Sequence, residues 1–281
     1  MQALSCFSHC ALQTPVCLWR MPHSRYNRPV TIYGEYAKVY DSSGQVAFSL
    51  KMIPYLRELL QRHPIAGRSV LDLACGTGTV AMAFAQQGWE VYGIDGSSAM
   101  LDQARRKAQE NPVQPAVSQQ DMRAFVLPHA VDLVTCLYDS LNYMLTADDL
   151  GQVFRRVGHA LRPGGLFMAD MNTVEMLEHI WDNNTFFVES HDLAIVMQSH
   201  YEPATCLSAV QVTGFARRPD GFYERFDEAH VEAAYDSSTV RCALQTAGFQ
   251  IEAAYECFGF DPAQEQSHRV MWVARRLASP A

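Results

Sequence analysis

Hydrophobic and polar positions between residues 69 and 172 follow two alternating patterns. Short apolar runs such as "RSVLDLAC" and "AVDLVTCLY" are typical of buried strands. Between them lie stretches such as "TVAMAFAQQG" and "ADDLGQVFRRVGHAL", in which apolar residues recur at helical spacing. Five such strands, interspersed with amphipathic helices, predict an α/β fold whose parallel sheet is covered on both faces.

Two segments precede these strands. "YGEYAKVYDSSG" carries Tyr33, Tyr36 and Tyr40, and spacings of three and four predict one face of a helix. This face is either a core stripe or an aromatic lid over a ligand. "AFSLKMIPYLRELLQRH" predicts an amphipathic helix, which Pro54 can interrupt.

The pattern changes after residue 172. Between residues 186 and 234, β-rich runs separated by "EPAT" and "RPDG" predict an antiparallel meander. A helix "SSTVRCALQTAGF" and strands "QIEAAYECFGF" and "HRVMWVARRL" follow, so the meander is an insertion within the α/β fold. We therefore divide the chain into a poorly ordered leader, an N-terminal helical lid, a cofactor-binding α/β core, an inserted β-rich substrate lid and a C-terminal completion of the core: 1–30, 31–68, 69–172, 173–235 and 236–281.

Composition narrows the class of protein. The 281-residue chain has a formal net charge of −8 and a pI near 5.6, which argues against binding along a phosphate backbone. No apolar run reaches the roughly 18 residues of a membrane helix. Scattered cysteines indicate reduced thiols in a cytoplasmic protein. Cys6, Cys10, Cys17 and His9 lie close together, but their spacing fits no standard zinc site, so no metal is predicted.

A glycine turn follows the first strand. Residues 76–81 read GTGTVA, which satisfies the G-x-G-x-x-G/A pattern, and Asp95 lies 19 residues after the first glycine. Backbone N–H groups at such a turn approach a ligand closely, and the acidic residue accepts hydrogen bonds from ribose hydroxyls. Asp72, just before the turn, disfavours a pyrophosphate and suits a cationic amine. Asp121, which ends the predicted third strand, suits an adenine amino group. S-adenosylmethionine carries an ammonium, a ribose and an adenine, and it has no phosphate.

Several ordered motifs strengthen this interpretation. "VLDLACGTG", "VYGIDGSSAML", "QQDM", "DLVTCLYDSLNYM" and "LRPGG" occur in this order. With them, the chain closely resembles the class I S-adenosylmethionine-dependent methyltransferases over residues 33–277, in particular small-molecule relatives with "YDSLNY" after strand four. The resemblance implies a Rossmann-like sheet of seven mostly parallel strands whose last strand is antiparallel, and S-adenosylmethionine as cofactor.

The resemblance also implies cofactor-binding residues. Asp72 would orient the methionine amino group, Asp95 would hold the ribose hydroxyls, and Asp121 would face adenine. Further cofactor contacts would come from Tyr33, Tyr40, Ala74, Gly76, Gly78, Gly96, Ser97, Met100, Met122 and Leu137.

The sequence nominates no single general base. In-line alignment and exclusion of water supply much of methyl-transfer catalysis, and a base is needed only when the acceptor arrives protonated. Candidate catalytic residues follow strand four or lie in the insertion: Tyr138, Asp139, His191 and His230. Candidate substrate contacts are Tyr36, Tyr138, Asn142 and Asn172. An isolated histidine in a β-rich segment is more often structural than catalytic.

We expect methylation of a nitrogen or oxygen atom of a small molecule. The alternatives are a nucleic-acid or protein methyltransferase, an NAD(P)-dependent oxidoreductase, and a non-catalytic cofactor-binding subunit. The Asn-Pro-Pro-Tyr or Asp-Pro-Pro-Tyr signature of amino-methylating nucleic-acid enzymes is missing after strand four, where the chain reads "LYDSLNY". This disfavours a nucleic-acid acceptor.

Overall fold

A computed structural model describes residues 32–112 and 114–277. The chain forms eleven strands within these ranges, in two sheets. They are β1 (Ser69–Leu73), β2 (Glu90–Asp95), β3 (Ala116–Gln119), β4 (Val131–Cys136), β5 (Leu161–Asn172), β6 (Thr185–Ser190), β7 (Leu193–Glu202), β8 (Leu207–Arg217), β9 (Tyr223–Ala233), β10 (Phe249–Glu256) and β11 (Arg269–Arg276).

The larger sheet has seven strands in the order β10-β11-β5-β4-β1-β2-β3. Strands β1 to β5 are parallel, and β11 pairs antiparallel with both β5 and β10. The predicted Rossmann-like sheet of mostly parallel strands with an antiparallel last strand is therefore confirmed. The order in which successive strands are added reverses at β1, because β2 and β3 lie on one side of it and β4 and β5 on the other. The carboxyl ends of the strands at such a switch point leave a crevice for a ligand.

Five α-helices connect and cover these strands in the described residues. They are α1 (Val46–Arg62), α2 (Thr79–Gln86), α3 (Ser98–Gln109), α4 (Ala147–Ala160) and α5 (Ser237–Thr246). Every residue of β1 and β4 is buried, because helices cover both faces of the sheet. Leu71 packs into the apolar cluster beneath α4 and α5, whereas the adjacent Val70 packs into the cluster beneath α1 and α2.

The second sheet is an antiparallel meander, β6-β7-β8-β9, as predicted for the insertion. Below we call it the inserted sheet. One face packs on Tyr36 through Ile195, Val212 and Phe226. A short π-helix, Glu175–Trp181, leads from β5 into the insertion and was not predicted. The boundaries of the five predicted domains stay a prediction.

Two helix predictions need correction. Of the tyrosine-rich segment, only Tyr36–Lys38 is helical, as a 3₁₀ turn, and Tyr33 has a φ of 54°. Backbone N–H groups here donate to the Glu228 side chain instead of to helical carbonyls. Conversely, Pro54 lies inside α1 without ending it. The helix places Met52 and other apolar side chains in the core on both sides of the proline, and this packing outweighs the lost hydrogen bond.

Two predictions concern the chain ends and membrane association. The predicted leader 1–30, with Cys6, Cys10, Cys17 and His9, lies outside the described residues. Among the residues that the structure covers, no helix is long and apolar enough to cross a membrane.

Candidate functional site

A cavity of about 840 Å³ opens at the carboxyl ends of β1, β2 and β4. This volume lies in the upper part of the range for small-molecule sites, about 300–1,000 Å³. Of the residues predicted to bind the cofactor, all but Gly78 line it. They are Tyr33, Tyr40, Asp72, Ala74, Gly76, Asp95, Gly96, Ser97, Met100, Asp121, Met122 and Leu137. Their binding roles remain predictions.

The glycine turn between β1 and α2 forms the floor of this cavity. Ala74, Gly76 and Gly78 all have positive φ, at 57°, 55° and 76°. Gly78 precedes α2 as its N-terminal cap, and a Cβ on it would lie 3.0 Å from Ala104 Cβ. Gly78 therefore serves helix packing rather than lining the cavity. Ala74, which is not a glycine, holds this conformation at a cost of about 1 kcal/mol.

Asp72 lies in the middle of the sheet, in register with Gly93 on β2 and Thr135 on β4. It is 3% exposed, and Thr135 Oγ1 donates to its Oδ1 at 2.8 Å. Burial raises the pKa of Asp72 to about 7, although the bond from Thr135 opposes this shift. A buried carboxylate without a cation is costly. The position therefore favours a ligand that brings a positive charge.

Asp95 ends β2 and ties two loops together. Its Oδ2 accepts from the Gly76 N–H and its Oδ1 from the Ser97 N–H, both at 2.8 Å. Burial raises the pKa of Asp95, and the two N–H donors oppose the shift. Ser97 caps α3 by accepting from Met100 N, and its hydroxyl donates to the Tyr33 carbonyl at 2.8 Å. The carboxylate is thus held in place at the cavity wall.

Asp121 differs from its predicted setting. It lies in a turn beyond the end of β3, and its side chain is 47% exposed. Arg123 binds both of its carboxylate oxygens, which lowers the pKa of Asp121, while Arg123 also pairs with Asp149. Arg123 lines the cavity as well and was missed in the sequence. This end of the cavity therefore presents a carboxylate already paired with a guanidinium.

Residues 33–45, which we call the strap, run along the cavity. Tyr33 and Tyr40 of the strap line it. Asp41 accepts from Thr77 at 2.8 Å and pairs with Lys107 at 2.7 Å, which ties the strap to the glycine turn and to α3. On the opposite side, Glu228 of β9 accepts from three strap N–H groups, at 2.8, 2.9 and 3.0 Å. The strap is thereby attached to both the core and the inserted sheet.

Four tyrosines gather at the end of the cavity next to the strap: Tyr33, Tyr40, Tyr138 and Tyr143. The Tyr33 and Tyr143 hydroxyls are 2.9 Å apart, and the Tyr143 hydroxyl is 3.0 Å from His230 Nδ1. Burial raises the pKa of each of the four, so these phenols are neutral and serve as hydrogen-bond donors and acceptors.

A carboxylate cluster, Asp139, Asp170 and Glu232, lies behind the tyrosines. Arg269 pairs with Asp139 and Asp170, while Asn172 Nδ2 donates to Asp139 at 2.8 Å and to Glu232 at 3.1 Å. Burial, and then the charge of Asp139, raise the pKa of Glu232. All three carboxylates are nearly inaccessible, at 6%, 0% and 4% exposure. One arginine thus compensates three buried acids.

The remaining candidates fall into two groups. Asp139, Asn142, Asn172 and His230 do not line the cavity but form the buried layer behind it. Tyr36, on the strap, stacks on Phe226 of the inserted sheet. His191, named above as a candidate catalytic residue, lies away from the cavity. It is in the turn between β6 and β7, and its side chain is 82% exposed. The structure brings His230 toward the cavity and leaves His191 outside it.

Sequence reasoning also missed Glu228, Glu232 and Arg269. One signal was available in "DEAHVEAAY", where Glu228, His230 and Glu232 alternate and therefore share one face of a strand. Charged residues on the buried face of a strand indicate a polar site. Arg269 follows no local pattern.

Comparisons with known proteins point to one class of enzyme. A family model described as a methyltransferase domain matches residues 70–165. A Bacillus subtilis protein named as a methyltransferase is 31% identical over 247 residues, which cover 87% of this chain and 97% of that protein. A dTDP-4-amino-2,3,4,6-tetradeoxy-D-glucose N,N-dimethyltransferase from Saccharopolyspora spinosa is 30% identical, over 69% of this chain and 76% of that protein.

A solved structure is similar over nearly the whole described chain. It is an S-adenosylmethionine-dependent methyltransferase from Clostridium acetobutylicum, 26% identical, with a TM-score of 0.78. The match covers 88% of this chain and 100% of that one.

Proposed function

Because this chain belongs to the family of S-adenosylmethionine-dependent methyltransferases, we propose that it methylates a nitrogen or oxygen atom of a small molecule, with an amine as the best-supported acceptor. The observation that carries the choice of an amine is the carboxylate cluster behind the tyrosines, where one arginine faces three buried acids.

The residues at the floor of the cavity fit S-adenosylmethionine. The Asp72 carboxylate is buried and pairs with no cation among the residues that the structure covers, and it would hold the ammonium of the methionine part. The Asp95 oxygens each accept one N–H bond and keep a lone pair for the ribose hydroxyls. Met100 and Met122 would pack on the adenosine. When bound, S-adenosylmethionine supplies a methyl group activated by its sulfonium.

The tyrosine-lined end of the cavity is the proposed acceptor site. It adjoins Ala74 and Leu137 along the wall of the same cavity, so an acceptor there would reach the methyl group without leaving the enclosure. The strap and the inserted sheet cover this end and would exclude water. Binding in an oriented, dry site is the main contribution that a protein makes to this transfer.

Charge favours an amine over a neutral hydroxyl in this site. Within the described residues Asp139, Asp170 and Glu232 share one positive partner, Arg269. Because burial and the charge of Asp139 raise the pKa of Glu232, a second cation near this acid would favour its ionised form and would itself be attracted to it. The Saccharopolyspora relative is named for N,N-dimethylation of an amino sugar, which supports the same acceptor class. An ammonium beside Glu232 would also lower the pKa of that acid.

The test is transfer of labelled methyl groups to matched acceptors. We would offer small amines, the corresponding alcohols and phenols, tRNA and a mixed peptide pool. Greater transfer to the amines supports the proposal, whereas greater transfer to tRNA or peptide overturns it. Calorimetric titration with S-adenosylmethionine and with NAD identifies the cofactor independently of the acceptor.

A matched pair of variants tests the role of charge. Glu232→Gln should lower kcat/KM for a cationic amine and leave transfer to a neutral phenol unchanged. Glu224→Gln, on the exposed part of the same strand, is the control. Equal losses on amine and phenol would contradict the charge argument.

We also propose that the protein acts in the cytoplasm. Four cysteines of the described residues, Cys75, Cys136, Cys242 and Cys257, are free thiols, which suits a reducing compartment.

A further inference from the structure

We propose that Tyr33, Tyr143, His230 and Glu228 form a proton relay that leads from the acceptor site to the buried His230. The relay rests on the proposed function, since it takes the proton that an amine acceptor releases. It assigns to His230 the role of final proton acceptor and to Glu228 that of a positioning residue.

The chain of contacts is continuous. The Tyr33 hydroxyl is 2.9 Å from the Tyr143 hydroxyl, which is 3.0 Å from His230 Nδ1. His230 Nε2 is 3.3 Å from Glu228 Oε2, at ion-pair distance, and makes no well-aligned hydrogen bond in the described protein. Both tyrosines line the cavity, whereas His230 and Glu228 are only 4% and 3% exposed. The hydroxyls are therefore the connection between the cavity and the imidazole.

Glu228 determines which group donates and which accepts in each hydrogen bond of the relay. Burial opposes its ionisation, but the contact with His230 and the strap N–H groups lower the pKa of Glu228, so it is a carboxylate. A carboxylate next to Nε2 favours the proton on that nitrogen. Nδ1 then accepts from Tyr143, Tyr143 accepts from Tyr33, and the lone pairs of the Tyr33 oxygen remain for a donor in the cavity.

In the proposed step the acceptor enters as an ammonium, which has no lone pair and must lose a proton before its nitrogen attacks. That proton passes to the Tyr33 oxygen while Tyr33 passes its own proton to Tyr143, and the freed nitrogen then forms its bond to the methyl carbon as the carbon–sulfur bond breaks and the sulfur keeps that electron pair. Tyr143 in turn passes its proton to His230 Nδ1. The imidazolium formed there is stabilised by Glu228.

Several aromatic and charged groups surround the His230 ring. The rings of Tyr33 and Tyr36 on the strap lie 4.7 and 6.4 Å away, and Tyr143 approaches from the segment after β4. Glu228 precedes it on β9, and Glu232 follows on the same strand face. The charged groups among these are carboxylates, so they stabilise a protonated imidazole.

The first test needs neither cofactor nor acceptor. Long-range ¹H–¹⁵N correlation spectra of the ¹⁵N-labelled full-length protein should show His230 with its proton on Nε2. His230→Asn assigns the signal by its loss. Tyr143→Phe should change the Nδ1 shift and leave the tautomer unchanged. A proton on Nδ1 in the wild-type protein would overturn the relay.

The second test is kinetic, with whichever small amine the wild-type enzyme methylates. His230→Asn should lower kcat at pH 7 by about 100-fold or more, the usual contribution of a general base, with the Kd for S-adenosylmethionine unchanged. Raising the pH to about 9.5 should restore most of kcat, because the amine then arrives deprotonated. A loss that persists at high pH would mean that His230 is only structural.

Two controls separate the outcomes. His191→Asn, on the exposed turn, should behave as wild type. The double variant Tyr143→Phe with His230→Asn should be no slower than either single variant, because both interrupt one relay, whereas additive losses would contradict it. If wild-type protein methylates no amine, the proposed function fails. If it does and His230→Asn is fully active, only the relay fails.

Discussion

Replacing Asp72 by Asn should stabilise the fold at alkaline pH and weaken cofactor binding. Asp72 is 3% exposed in the centre of the seven-stranded sheet, and its carboxylate accepts a hydrogen bond from the Thr135 hydroxyl. Asparagine keeps the shape and the oxygen that accepts from Thr135, and it removes the charge. The substitution therefore isolates the cost of holding a carboxylate in the sheet for a cationic ligand.

The magnitude follows from linkage. Burial raises the pKa of Asp72 from 3.8 to about 7, so between these values the folded protein binds a proton that the unfolded chain releases. The wild type consequently loses stability as pH rises through this window. At about 1.4 kcal/mol for each pH unit, the loss between pH 4.5 and pH 8 is about 3 kcal/mol. The asparagine variant lacks this loss.

The assay is urea unfolding of both proteins across this pH range. The free energy of unfolding of the variant minus that of the wild type should rise by about 3 kcal/mol from pH 4.5 to pH 8. Costs of the substitution that do not depend on pH cancel in this comparison. Asp102→Asn, on the exposed face of α3, is the control. A difference that stays flat with pH would refute the buried, uncompensated carboxylate.

Three further predictions follow from the same site and the inserted sheet. The affinity for S-adenosylmethionine should increase from pH 6 to pH 8 as Asp72 ionises, and calorimetry showing no pH dependence would contradict the proposed contact. Asp95→Ala should weaken that binding by about 1–3 kcal/mol through lost hydrogen bonds, and unchanged calorimetric affinity would count against it. Gly214→Ala should destabilise the protein by about 1–3 kcal/mol in thermal unfolding. The reason is that its Cβ would lie 2.0 Å from Phe226, and an unchanged Tm would show that the ring relaxes freely.

The sequence predicted the sheet and the cofactor side of the cavity because both depend on local patterns. Asp72, Gly76 and Asp95 each lie at a strand end or turn that short-range hydrophobic patterning locates. The same patterning wrongly predicted a helix for the strap. Its N–H groups instead bond Glu228, between 192 and 195 residues away, and no local pattern reports such a partner.

The residues around the proposed acceptor site were less predictable for the same reason. Arg269 pairs with Asp139 across 130 residues, and the pair exists only because β11 inserts beside β5. His191 and His230 look alike in the sequence, since both are isolated histidines in a β-rich segment. Only the register of the inserted sheet distinguishes them, and it places one at an exposed turn and the other behind the tyrosines.

The strap connects the proposed cofactor site, next to β2, with the inserted sheet. Ser97, which is held by Asp95 beside the proposed ribose position, donates to the Tyr33 carbonyl, while Glu228 holds the Tyr33 N–H from the acceptor side. The first residue of the proposed relay is therefore positioned by hydrogen bonds from both sites. A ligand that fixes Asp95 and Ser97 would also restrain Tyr33, whose hydroxyl faces the proposed acceptor site. In the proposed mechanism, positioning of the cofactor and capture of the proton would therefore depend on the same peptide unit.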